Sequence, residues 1–264
     1  MLKLLNVTCF YDEKTILEDI CFEAHKGSII SILGANGCGK STLLKAISGL
    51  IPHHGKILLQ GQDTQNLSQK QRAKLLSYVP QNSSLPFDYL AKDIVLMGRF
   101  HESSFGFQYS KEDWDITKES LDLVGASHLG DKIYKHLSGG QKQLILIARA
   151  IAQQSGLIVM DEPVTGLDLQ NQMRLLHLIK KLAYKGHTII QTTHYPDHAL
   201  RISDEVIWID NQKIIASGKS KETITPQRIQ EIYHLHSEIY QDSQKQSHLV
   251  ALDFIHKDKH EPTL

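Results

Sequence analysis

Residues 34–41 read Gly34-Ala35-Asn36-Gly37-Cys38-Gly39-Lys40-Ser41, a spacing of glycines, lysine and hydroxyl suited to gripping a chain of phosphates. Glycines let the backbone curl until successive N–H groups point at one anion. A helix starting at Lys40 adds the positive end of its dipole. Lys40 then reaches the outer phosphates, the Ser41 hydroxyl is a magnesium ligand, and Thr42 follows it in the first turn. A second chemical element lies downstream, where the apolar run Leu157-Ile158-Val159-Met160 ends in Asp161-Glu162. Two carboxylates at the end of a buried strand are costly unless a cation or an ordered water uses them. Asp161 is placed to hold the magnesium shell, and Glu162 to orient and polarise an attacking water. Each element has a plainer reading, a glycine-rich turn capping a helix and an acidic pair at a helix start. Their co-occurrence favours nucleotide chemistry.

These residues need a particular scaffold. The β-branched run 28–33 reads as a buried strand feeding the loop, with a helix over 40–50 behind it. Residues 2–9 and 16–24 read as strands, the first bulged, and 56–60, 75–79, 157–160, 187–192 and 205–209 as further strands. The run 213–216 pairs back across Asn211-Gln212. Helix patterns cover 91–99, 111–124, 141–154 and 169–184, where Met173, Leu176, Ile179 and Leu182 recur at helical spacing. Strands alternating with helices give an α/β fold with a mainly parallel sheet. Residues 82–140 read as a helical insertion within a domain of 1–240, and the polar stretch 241–264 as a loosely held tail.

Composition narrows the function further. Across 264 residues, Lys+Arg and Asp+Glu balance at 29 each, which disfavours a dedicated nucleic-acid binder. The three cysteines have no paired spacing of the zinc or redox kind and fit a reducing compartment. No export signal and no apolar run of spanning length is visible, so the expectation is a soluble, cytoplasmic chain whose membrane role comes through a partner. The histidines at 234, 236, 248, 256 and 260 are irregularly spaced on a polar segment and read as solvated, and His53-His54 as a turn.

Between the two chemical elements sits Leu137-Ser138-Gly139-Gly140-Gln141. This segment resembles the signature sequence of ABC ATPases, while Ser138 and Gln141 also have the spacing of a helix capping box. Further motifs follow in the family's order. Tyr11 after Phe10 looks like the aromatic that stacks on adenine, and Gln81 after Tyr78-Val79-Pro80 like the Q-loop glutamine. Gly166-Leu167-Asp168 looks like the D-loop, and His194 after Thr192-Thr193 like the switch histidine. The resemblance covers about residues 1–235 and implies an ABC-type P-loop ATPase with a mainly parallel core sheet, an antiparallel β subdomain and a helical subdomain. It implies ATP bound by Tyr11, Gly34, Asn36, Gly37, Cys38, Gly39, Lys40, Ser41, Thr42, Ser138, Gly140 and Asp168. Magnesium falls to Ser41, Gln81 and Asp161, and catalysis to Glu162, His194 and Gln81. It also implies a head-to-tail dimer in which one copy's loop and the other's signature clasp one ATP. Integral membrane permease subunits and, indirectly, a substrate-binding protein complete the assembly at the cytoplasmic face of the cell membrane, with no nucleic-acid partner.

Pro86-Phe87 and Asp93-Ile94-Val95-Leu96-Met97-Gly98-Arg99 resemble the segment at which the permease docks in importers of ferric siderophores, haem, cobalamin and, in some members, molybdate. An amphipathic surface helix with Ile94, Leu96 and Met97 turned inward is the plainer reading. Other cargoes stay open: a zinc or manganese importer, an exporter, or a non-transport ABC ATPase. A P-loop kinase or GTPase would leave residues 137–141 and His194 unexplained. Cys38 stands where serine is frequent, and its thiol is expected to turn away from the phosphates.

Overall fold

The computed structural model describes residues 1–81, 87–100 and 109–254. In chain order the strands and helices are β1 (Leu2–Tyr11), β2 (Lys14–Ala24), β3 (Ile29–Leu33), α1 (Lys40–Ile47), β4 (His53–Leu59), β5 (Gln62–Asp63), α2 (Gln69–Leu75) and β6 (Leu76–Val79). The helical stretch holds α3 (Ala91–Leu96), α4 (Lys111–Leu123) and α5 (Gly139–Ala152). Then come β7 (Leu157–Met160), α6 (Leu169–Tyr184), β8 (Thr188–Thr192), α7 (Pro196–Ile202), β9 (Glu205–Asp210), β10 (Lys213–Lys219), α8 (Ser220–Thr223), α9 (Pro226–Tyr233), β11 (Leu235–Gln241) and β12 (Ser247–Phe254).

The central sheet runs β10-β9-β3-β8-β7-β6, parallel except for the edge strand β10. Its strands are short and apolar because both faces are covered. Successive side chains alternate between those faces. Ile30, Ile32, Val159 and Ile190 pack with α1 and with Leu2, Leu4 and Val7 of a second, antiparallel sheet, ordered β2-β1-β4-β5. Their neighbours Ile29, Ile158, Met160 and Ile189 face the other way, onto α5 and α6. The sheet is therefore the middle layer, with α1 held between it and the antiparallel sheet.

Helices α3, α4 and α5 form the helical subdomain and share one core with the underside of the central sheet. Ile94, Val95 and Leu96 point inward, whereas Met97 stays 38% exposed, so only part of the expected inward face is buried. Gly98 lets the turn after α3 approach α5 closely: a Cβ there would sit 2.4 Å from the Arg149 carbonyl oxygen. Next to it, buried Arg99 ties three elements together. Its Nε donates to Asp113 Oδ1 of α4 at 3.0 Å, and its Nη1 donates to the Ala152 carbonyl and to Gln154 Oε1, each at 2.9 Å.

The structure corrects three expectations. His53 and His54 are strand residues, opposite Cys9 and Thr8 of β1, because β1 continues past its bulge and supplies partners for them. α1 stops at Ile47, and Ser48 and Gly49 donate back to its last carbonyls. The stretch after residue 240 is no loose tail as far as Phe254: β11 and β12 form an antiparallel hairpin whose Leu235, Ile239 and Leu249 pack beside Leu33 and Trp208. Buried His248 is part of that hairpin, and burial gives it partners that its polar neighbourhood in sequence did not reveal. Residues 82–86, where Pro86 was singled out, and 255–264, with His256 and His260, lie outside the described residues. Among the described residues no helix is long and apolar enough to cross a membrane.

Replacing Arg99 by alanine leaves buried Asp113, among the described residues, with its Ser110 bonds alone, and breaking such a pair costs about 3 kcal/mol. Urea titration of Arg99→Ala is expected to show that loss as a lower midpoint with an unchanged slope; a midpoint like the parent's overturns the assignment of Arg99 as the tie.

Candidate nucleotide site

Strand register brings the site together. Val79 of β6 lies opposite Met160 of β7, which lies opposite Gln191 of β8, and Ile32 of β3 lies opposite Thr192. One step beyond this line the strands release Pro80-Gln81, Asp161-Glu162, Thr193-His194 and, after Leu33, the loop at Gly34. Parallel strands all end on one edge of the sheet, which is where open α/β sheets place their ligands. A cleft of about 520 Å³ opens there, lined by Asn36, Gly37, Gly39, Lys40, Ser41, Thr42, Gln81, Glu162 and His194, with Ile16 of β2 on its wall.

The loop is held from below. Gly34 (φ +151°) packs so tightly on β9 that a Cβ would come within 2.2 Å of the Ile209 carbonyl oxygen and 2.7 Å of Cys38 Sγ. The Cys38 thiol therefore turns inward, as expected, and burial raises its pKa. Tyr233 of α9 reaches the same glycine, its hydroxyl 3.5 Å from the Gly34 carbonyl, and burial pushes that phenol up to about 12. Lys40 is buried, and its ammonium donates to the Gly34 and Ala35 carbonyls at 2.9 Å each. The cation is thus folded back over its own loop, at the floor of the cleft.

Two carboxylates organise the opposite wall. Asp161 Oδ1 accepts from Ser41 Oγ at 2.9 Å and from Thr192 Oγ1 at 2.7 Å, and Tyr78 OH lies 3.5 Å from its other oxygen. Burial, then the Asp161 charge, raises the Tyr78 pKa, so that phenol stays a neutral donor. Glu162 sits at φ +46°, a costly conformation for a non-glycine residue, held by its N–H donating to Thr192 Oγ1 at 2.9 Å. Its Oε2 accepts from Gln81 Nε2 at 2.7 Å and from Thr165 Oγ1 at 3.2 Å, and lies 3.4 Å from His194 Nδ1.

Most of the anticipated site residues thus meet in one place, with Gly34, Cys38 and Asp161 bonded or packed just behind the lining of the cleft, and four others lie apart from it. Ser138, Gly140 and Asp168 lie outside the lining of the cleft, as does Tyr11, which is 43% exposed at the end of β1. Ser138 caps α5 with a reciprocal Gln141 bond, and Asp168 caps α6 through the Asn171 N–H. Thr192, Tyr78 and Thr165 were not assigned a role from sequence. Thr192 is the structural hinge of the two acids, and only the β7–β8 register could have revealed it.

The family model described as ABC transporter matches residues 17–165. Over 239 residues the chain is 34% identical to the ferric enterobactin transport ATP-binding protein FepC of Escherichia coli, covering 90% of this chain and 88% of that one. It is 34% identical over 235 residues to the manganese transport system ATP-binding protein MntB of Halalkalibacterium halodurans, covering 88% and 92%. Among solved structures, an inward-facing ABC transporter assigned to the metal-chelate type superposes with a TM-score of 0.82 at 33% identity, covering 95% and 97% of the chains. A dimeric ATP-binding cassette in a post-hydrolysis state with ADP and phosphate gives 0.75 at 27%, covering 83% and 99%. Loop, paired acids and strand-end histidine share one cleft in a chain with these relatives: it belongs to the ABC transporter family, as an ATP-binding ATPase subunit.

Proposed function

We propose that this chain hydrolyses MgATP at the cytoplasmic face of the cell membrane to energise uptake of an iron-siderophore, haem or cobalamin-type metal chelate through a separate permease. The observation that carries the coupling is the 2.7 Å bond from Gln81 to Glu162. Gln81 precedes Phe87 and Met97 in the chain, which expose 65% and 38% of their surfaces. Large apolar side chains left in water beside a catalytic loop mark a partner surface. A permease segment seated on them can reach the water-orienting carboxylate through one glutamine. The FepC relative and the metal-chelate type structure support the cargo class. The manganese-named relative supports a second reading, a bare divalent metal as cargo.

The geometry supports the following division of roles. Lys40 exchanges its two loop carbonyls for the outer phosphates, with the N–H groups of residues 36–42 around them. Ser41, Asp161 and Gln81 offer hydroxyl, carboxylate and amide oxygen, the hard donors that magnesium takes, and few enough to leave room for phosphate and water. Magnesium, when bound, would neutralise charge on the phosphates. Glu162 holds the attacking water and receives its proton; Gln81 and His194 fix that carboxylate. Tyr11 stacks on the base. Ser138 and Asp168 face solvent, so a second copy is needed to bring a signature helix over the nucleotide. The dimeric cassette supports this arrangement.

Lys40→Ala is expected to weaken ATP binding at least about tenfold in a fluorescent-nucleotide titration, an ion-pair loss to phosphate; parent-like affinity refutes the phosphate role. Glu162→Gln should bind ATP normally, turn over roughly 10²–10⁴ times more slowly, and elute as a dimer with ATP present; full turnover removes the general-base assignment. Uptake of ferric siderophores, haem and cobalamin by a strain lacking this chain, with manganese alongside, should restore only with the parent chain and fail with Phe87→Asp/Met97→Lys. Restoration of manganese uptake alone would sink the chelate reading.

A further inference from the structure

His194 is followed at once by α7, and α7 is held by the C-terminal hairpin. Asp197, in the first turn of α7, accepts the Leu249 N–H of β12 on Oδ1 at 3.0 Å and Arg201 Nε on Oδ2 at 2.7 Å. Arg201 Nη2 lies 2.8 Å from His248 Nδ1, and His248 Nε2 lies 2.9 Å from Asp242 Oδ2 in the hairpin turn. Arginine can only donate, so Nδ1 must accept and Nε2 must carry the proton given to Asp242. The imidazole is thus a bridge between the two, accepting from Arg201 on one side and donating to Asp242 on the other. Its side chain is 11% exposed and stacks on Tyr240 with ring centres 5.2 Å apart.

A row of rings leads from this network back to the site. His198 of α7 packs on Tyr195 at 4.8 Å between centroids, and Tyr195 packs on His194 at 4.0 Å. Pro196 fixes the backbone between them. α7 has only seven residues, too few to hold its own position by helix propensity. Its place is set by what it touches, and the hairpin contributes two of its polar bonds, Leu249 N–H to Asp197 and Arg201 to His248. The His194 ring, which must stay near Glu162 Oε2 at 3.4 Å, is attached to that helix.

We propose that Asp197, Arg201 and His248 form a strap by which the C-terminal hairpin positions His194 for hydrolysis, making them positioning residues outside the nucleotide cleft. The proposal rests on the site role given to His194 above. None of the three lines the cleft, so ATP binding is untouched. Loosening the strap lets α7 and the attached ring drift from Glu162, which lowers turnover alone.

The test is a cycle of His248→Ala and His194→Ala in the full chain, assayed for MgATP hydrolysis well below each variant's melting midpoint. His248→Ala should lower kcat about fivefold with KM for ATP within about twofold, the size of effect seen for residues coupled to a site through packing. His248→Gln should restore kcat, because its amide can accept from Arg201 and donate to Asp242. In the His194→Ala background the same His248→Ala change should do nothing more. An unchanged kcat in His248→Ala, or an equal loss in both backgrounds, overturns the strap, since a merely stabilising hairpin lowers the melting midpoint without touching turnover or coupling to His194. Parent-like hydrolysis by His194→Ala alone overturns the site role of His194 and the strap with it, a result distinct from a failed cycle.

Discussion

In-register pairing of parallel strands is the constraint on which this molecule rests. Val79, Met160 and Gln191 stand in line across β6, β7 and β8, and Ile32 stands opposite Thr192. Backbone hydrogen bonds fix that alignment, and a slip of one residue would turn every side chain to the wrong face. The chemistry lies one or two residues past the line. Asp161, Glu162, Gln81, His194 and the loop at Gly34 converge because they sit where the strands end, with Asp161 still bonded through its N–H to the Val79 carbonyl. Each is therefore positioned by a rigid strand yet free to face the cleft.

Within that frame the site is a chain of hydroxyl and amide bridges between acids. Thr192 binds the side chain of Asp161 and the backbone of Glu162 at once, and so fixes the two carboxylates relative to each other. Asp161 is turned toward Ser41 and the phosphate loop; Glu162, in its strained backbone conformation, is turned toward Gln81 and His194. The strain at Glu162 is tolerated because strand, threonine and glutamine over-determine its place. Among the described residues, the start of α5 is exposed at Ser138, and a hairpin from the C-terminal part of the chain reaches α7.

What the sequence determined by itself was the set of motifs and their order. Gly34 to Ser41, Asp161-Glu162 and Ser138 to Gln141 are local patterns whose function is a matter of residue type at fixed spacing, so they survive translation into structure unchanged. The buried strands were legible for the same reason: runs such as 28–33 and 157–160 are apolar throughout because both of their faces are covered. Family membership followed from the order of these motifs along the chain.

Only the tertiary structure decided which of those residues meet and what holds them. Thr192 and Tyr78 bind Asp161 through strand register, a relation between residues more than thirty positions apart that no local pattern records. His53 and His54 became strand because β1 offered partners, and His248 became a buried bridge because Arg201 and Asp242 arrive at its two nitrogens from different elements. A polar stretch such as 241–248 carries no periodic apolar signal, so burial there depends on contacts that exist only after the chain has folded. For the same reason Ser138 and Asp168 appear within one protomer as helix caps turned to solvent, outside the cleft that their sequence motifs anticipated.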